Sequence, residues 1–147
     1  MEKVPDHGSC FVCGANNPKS IGVEWYLVDG NQISTNFVFT DNHQGPPGFA
    51  HGGATAAILD EAMGLAIWYS GYHVVTAKLS VNYRKPVPLG TTVQINGRLS
   101  ERTDRRIIAR GEILLPDGSI AVSAEGLYAE AIHFYLNGAN NVGEVPK

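Results

Sequence analysis

Apolar and polar positions divide the chain into one long apolar block flanked by shorter segments. Across residues 54–69 nearly every side chain is small or apolar, with Thr55, Asp60 and Glu61 among the few polar interruptions. A solvated amphipathic helix needs a polar face that this block lacks, so the pattern predicts a buried helix. Ahead of it, residues 23–28 and 32–40 are rich in β-branched and aromatic side chains around Asp29-Gly30-Asn31, a turn sequence tolerant of positive φ. That arrangement predicts a β-hairpin. Residues 41–50 hold two prolines and two glycines, which disfavour helix and regular strand and predict a loop delivering the chain to the helix. Beyond the helix, residues 74–84, 91–101, 106–115 and 119–129 predict four consecutive antiparallel strands. Residues 1–20 predict an irregular lead-in, with function expected after it, and residues 137–147 a frayed tail. Residues 21–136 then form a single domain of the α+β class, one antiparallel sheet wrapped around a central helix. Nothing else in the chain can cover that helix on several sides.

Composition narrows the picture. A chain of 147 residues with 44% hydrophobic and 17% charged residues has the size and balance of one globular domain. Its net charge of -3 and the short basic clusters Arg84-Lys85 and Arg105-Arg106 argue against a nucleic-acid partner. No basic-then-apolar leader opens the sequence and no uncharged stretch reaches membrane-spanning length, so the expectation is a cytoplasmic protein without a membrane partner. Cys10 and Cys13 form a single Cys-x-x-Cys. This can be half of a zinc site, a redox pair or two small residues in a turn; packing or turn structure is favoured, because a structural zinc site takes four ligands. His7 and His43 are the histidines that could complete one.

The candidate chemistry lies at the helix. Asp60 and Glu61 are anomalous there, since a buried carboxylate costs several kcal/mol unless it is paired, hydrogen-bonded or functional. At the helix start, His51-Gly52-Gly53 lets a substrate approach the backbone, and the free N–H groups of a first turn can stabilise an oxyanion. A histidine just before a helix is expected to orient the loop by hydrogen bonding rather than to act as acid or base. Adjacent helical residues point about 100° apart, so Glu61 is expected to cap, pair or contact a subunit while Asp60 serves the site. Met63, Trp68 and Tyr69 are expected in the core.

The residues Cys10-Phe11-Val12-Cys13-Gly14, the run from Gln44 through His51-Gly52-Gly53, the helix with Asp60, and Val75-Thr76 through Tyr83-Arg84-Lys85-Pro86 together resemble the hotdog-fold acyl-CoA thioesterases. The likeness is to their PaaI-like group, with its His-Gly-Gly signature, and extends from about Cys10 to Tyr128. The resemblance implies a hotdog fold and an acyl-CoA substrate hydrolysed to a carboxylic acid and free CoA. It implies that the Gly52 N–H polarises the thioester carbonyl and that Asp60 is nucleophile or general base. It further implies Gln44 as a second donor, Thr76 as the holder of the attacking water and Gly53 as a substrate-contacting residue. No metal or cofactor is expected, because the carboxylate and the helix terminus supply base and electrophile.

Gly52 and Asp60 are about 12 Å apart along one helix at 1.5 Å per residue. Both can reach one carbonyl only if two subunits pair their helices antiparallel, which predicts a homodimer with shared sites, or a tetramer of two such dimers. Two other functions compete. One is a hotdog 3-hydroxyacyl-thioester hydratase or dehydratase using His43 and Glu61; the other is a non-catalytic acyl-CoA binding module.

Overall fold

The computed structural model describes residues 1–138, so most of the tail expected to fray lies outside the described residues. In chain order the strands are β1 (Glu2–Lys3), β2 (Tyr26–Val28), β3 (Gln32–Val38), β4 (Val74–Tyr83), β5 (Thr92–Thr103), β6 (Arg106–Leu114) and β7 (Ile120–Glu130). The helices are α1 (Gly52–Tyr69) and α2 (Ile132–Gly138). All seven strands join one antiparallel sheet in the order β1-β2-β3-β5-β6-β7-β4. With α1 packed on β3 through β7, this is the expected sheet wrapped on a long helix.

The hairpin forms where the turn sequence places it. Tyr26 pairs with Ser34 and Val28 with Gln32, and Gly30 (φ 72°) and Asn31 (φ 59°) supply the positive φ of the turn. Its first strand is shorter than residues 23–28. Val23 and Trp25, with 2% and 1% exposure, serve the core instead, and the Val23 N–H bonds back to the Val12 carbonyl.

That contact corrects the picture of the lead-in. Glu2–Lys3 pairs with β2, and Val4, Val12 and Cys13 are buried in the core. Local turns such as Gly14 N–H to the Cys10 carbonyl (2.9 Å) satisfy the backbone without a repeating period, so no periodic signal marks the segment as packed. The four later strands form as expected, and α2 is an element the pattern did not signal.

Helix α1 begins at Gly52, two residues before the apolar block, because the His51 Nδ1 accepts the Gly53 N–H (2.8 Å) as the helix cap. Its buried face carries Ile58, Leu59, Ala62, Met63 and Ala66. A Cβ at Gly97 of β5 would lie 2.5 Å from the Ala62 carbonyl carbon and oxygen, so glycine there sets how closely helix and sheet approach. The helix is not buried all round: Ala57, Asp60, Glu61, Gly64 and Trp68 are half-buried and line a cavity. An apolar composition on both faces thus reflects a core on one side and a pocket on the other.

Strand β4 forms one edge of the sheet, and most of its residues from Val75 to Tyr83 are exposed. No helix among the described residues is long and apolar enough to cross a membrane.

Candidate active site

Asp60 sits midway along α1, half-buried rather than fully enclosed as the apolar sequence around it suggested. Its Oδ1 accepts two hydroxyl hydrogen bonds, from Thr76 of β4 (2.9 Å) and from Tyr128 of β7 (2.9 Å). Oδ2 accepts none from the described residues, and the carboxylate lines a cavity of about 570 Å³. Burial, and then the neighbouring Asp60 charge, push the Tyr128 phenol far above its ordinary pKa, so it remains a proton donor to the carboxylate. Tyr128 can reach Asp60 because Gly126 leaves it room: a Cβ there would lie 2.4 Å from the Tyr128 ring.

The cavity walls are mostly apolar. Phe11 and Val12 come from the lead-in, Ala57, Leu65 and Trp68 from α1, Val74 and Val75 from β4, and Phe134 and Tyr135 from α2. Trp68 stacks edge-on against His73 and Tyr135, with ring centroids 4.2 and 5.1 Å away. Phe11 and Phe134 are both 59% exposed at its rim.

At the start of α1 the two glycines differ. The Gly53 N–H is taken by His51, whereas the Gly52 N–H has no acceptor among the described residues. The Gly52 carbonyl is held by the Tyr83 hydroxyl at 2.8 Å and by the Thr55 hydroxyl at 2.8 Å. Gln44 receives the Gly48 N–H on its Oε1 (2.9 Å), which leaves its amide hydrogens without a partner among the described residues. Gln44, His51 and Gly53 line a second cavity and Gly52 a third, both separate from that of Asp60.

Glu61 turns to a different wall from Asp60. Its Oε2 accepts the Trp25 indole N–H (2.6 Å), its Oε1 lies 2.8 Å from Cys10 Sγ, and the His7 ring is 3.7 Å away. Burial raises the Glu61 carboxyl above its ordinary value. Burial also opposes a charge on His7, but the contacts with Cys10 and Glu61 outweigh it and raise the imidazole to about 9. The nearby Cys13 thiol is the largest influence on Cys10 and, against burial, lowers that thiol to about 3; the same pairing pushes Cys13 up.

Residues 47–122, just over half of the chain, match the thioesterase superfamily. The chain belongs to that superfamily. The acyl-coenzyme A thioesterase THEM4 of Xenopus laevis is 36% identical to it over 93 residues, which make up 63% of this chain and 39% of the relative. The chain therefore spans about two fifths of that relative's length. A solved thioesterase superfamily protein superposes with a TM-score of 0.79 at 33% identity, covering 82% of this chain and 62% of the other. The E. coli PaaI protein shares the fold with a TM-score of 0.70 at 16% identity, over 77% of this chain and 82% of its own.

Within this superfamily member, the structure brings together Asp60 and Thr76 of the residues singled out in the sequence and leaves Gly52, Gly53, His51 and Gln44 around the start of α1. The Thr76 hydroxyl donates to Asp60 Oδ1. His51 Nδ1 accepts the Gly53 N–H at the helix start. Met63 is core, but Trp68 lines the cavity. Sequence reasoning missed Tyr128, Phe134 and Tyr135. A tyrosine in a strand carries no signal of its partner, and the short α2 follows the last strand without a periodic pattern. His43 accepts the Thr40 N–H in a local cap and packs on Phe37 and Phe39, while Glu61 is engaged by Cys10 and Trp25. Within one chain they form no acid–base pair, which disfavours the hydratase alternative.

Proposed function

We propose that this protein hydrolyses acyl-CoA thioesters to a carboxylic acid and free CoA, with Asp60 as the reacting carboxylate and the Gly52 N–H as the oxyanion donor. One observation carries the reading: a carboxylate fixed through Oδ1 by two hydroxyls, with Oδ2 accepting no hydrogen bond from the described residues, at the wall of an apolar cavity. That cavity suits an acyl chain, and a fixed carboxylate needs little reorganisation to attack a thioester or to take a proton from water. An acyl-CoA substrate is supported by the name of the THEM4 relative.

The oxyanion role falls to Gly52 rather than Gly53, because His51 consumes the Gly53 N–H. Gln44 is the second donor through its unpaired amide hydrogens. Gly52 and Asp60 line separate cavities of one chain, so the complete site is shared between two chains. Two features support a homodimer. The exposed ten-residue edge of β4 offers unpaired backbone groups to a second copy, and the half-buried face of α1 carries Ala57, Asp60 and Gly64. Two such dimers could pair into a tetramer.

The test is thiol release from short, medium, long and aryl acyl-CoAs. Wild type should release CoA, and Asp60→Asn should fold normally and lose about 10²–10⁴-fold in turnover, the range of a positioned acid–base group. Retained turnover in Asp60→Asn would remove Asp60 from the chemistry. A single turnover in ¹⁸O-water addresses its two roles. Label in the Asp60 carboxylate means attack through an anhydride; label in the product acid alone is given both by water activation and by an anhydride opened at its acyl carbon, and trapping of the anhydride by borohydride decides that case.

A further inference from the structure

We propose that His7, Cys10, Cys13 and Glu61 form a site for one transition-metal ion, zinc(II) by its donor set, which clamps the N-terminal lead-in onto α1. Each residue offers one ligand atom, and the four atoms all lie within 4.8 Å of one another. A tetrahedral zinc site with bonds of about 2.0–2.3 Å separates its ligand atoms by roughly 3.3–3.8 Å. Cys13 Sγ to His7 Nδ1 is 3.3 Å and His7 Nδ1 to Glu61 Oε1 is 3.7 Å, within that range. Cys10 Sγ and Glu61 Oε1, at 2.8 Å, are closer than an ion would hold them and would open by about 0.5–1 Å. Two acidic groups at that distance need a proton or a cation between them.

The surroundings fit a ligand set. The Val12 N–H points at Cys10 Sγ (3.4 Å), a contact that favours thiolate. Gly14 closes the Cys-x-x-Cys turn where a Cβ would lie 2.3 Å from the Cys10 nitrogen. The Trp25 indole holds Glu61 Oε2, fixing the carboxylate so that Oε1 faces the cluster. Two thiolates and an imidazole select zinc over magnesium or calcium, and four protein ligands leave no open position, which marks a structural site. On binding, any proton held on the two sulfurs, on the ligating nitrogen of His7 or on the Glu61 carboxyl passes to solvent, and each of the four ligand atoms donates a lone pair to the ion; no oxidation is involved.

The ion's effect would be on the cavity wall. His7, Cys10, Phe11 and Val12 all line the Asp60 cavity, and Glu61 is next to Asp60 in the chain. Clamping this segment would therefore keep the wall closed beside the carboxylate. The site rests on its own geometry and not on the hydrolase reading.

The test uses the full chain, produced in zinc-supplemented medium and purified without chelator. Elemental analysis should give about one zinc per chain. Replacement by cobalt(II) should give the visible bands of a tetrahedral ion and a near-ultraviolet thiolate charge-transfer band. Cys10→Ser and Cys13→Ser should each lose the ion and weaken that band. Because those variants could unfold, the wild type is also stripped with chelator. Stripping should speed proteolysis within residues 1–20 several-fold and leave the sheet intact by circular dichroism, and zinc should reverse the effect. Folded wild type that takes up no zinc and shows no cobalt–thiolate band would overturn the site, as would metal-free protein carrying a Cys10–Cys13 disulfide that zinc under reducing conditions does not replace.

Discussion

Two hydroxyls define the candidate site at the scale of residues. Thr76 and Tyr128 both donate to Asp60 Oδ1, and Tyr128 is 2% exposed. A hydrogen bond to a charged group is worth about 1.5–3 kcal/mol, or roughly 10- to 100-fold in rate when it acts in the transition state. Tyr128→Phe should therefore lower kcat by about 10- to 100-fold with little change in KM, measured by CoA release beside a circular dichroism spectrum. An unchanged kcat would show that Thr76 alone positions the carboxylate. Asp60 was legible in the sequence because a carboxylate stood out in an apolar block, whereas Tyr128 was not, because a tyrosine in a strand is ordinary. Cys10 and Cys13 were legible as a pair and His7 as one of two histidines that could join them, but Glu61 became their neighbour only through folding.

Among the elements, α1 and β5 set the geometry. Glycine at position 97 lets the Ala62 backbone rest on the sheet, and an added Cβ would meet backbone atoms that cannot rotate away. Overpacking of this kind costs about 1–3 kcal/mol. Gly97→Ala should lower Tm by several degrees in thermal denaturation and weaken turnover by shifting Asp60 relative to β4 and β7. A wild-type Tm would mean that β5 yields without cost. Helix α1 was visible as a continuous apolar block, and the strands as β-branched and aromatic runs between turn sequences. The packed lead-in and α2 were not, since one lacks any period and the other spans only Ile132–Gly138.

For the whole molecule, the separation of Gly52 from Asp60 makes assembly part of the proposed chemistry. Proline is tolerated at a first helical position and has no N–H, and the extended His51 backbone (φ -66°, ψ 136°) suits a following proline. Gly52→Pro and Asp60→Asn should each be inactive alone. Mixed and allowed to exchange subunits, they should recover about a quarter of wild-type activity, because half of the dimers would be mixed and each mixed dimer has one intact site of two. Light scattering should give the mass of a dimer or tetramer. A monomer with full activity, or no recovery on mixing, would place the oxyanion donor elsewhere in the chain.

Local pattern in the sequence determined the single long helix, the succession of strands along the chain and the place of Asp60 behind His51-Gly52-Gly53. Burial and backbone preference act over a few residues, and their periods are written along the chain. Tertiary structure alone decided what those residues meet. Tyr128 reaches Asp60 across 68 positions and Cys10 reaches Glu61 across 51. Contacts at such separations depend on sheet order, close approach at glycines and the path of an irregular segment, and no local period encodes them.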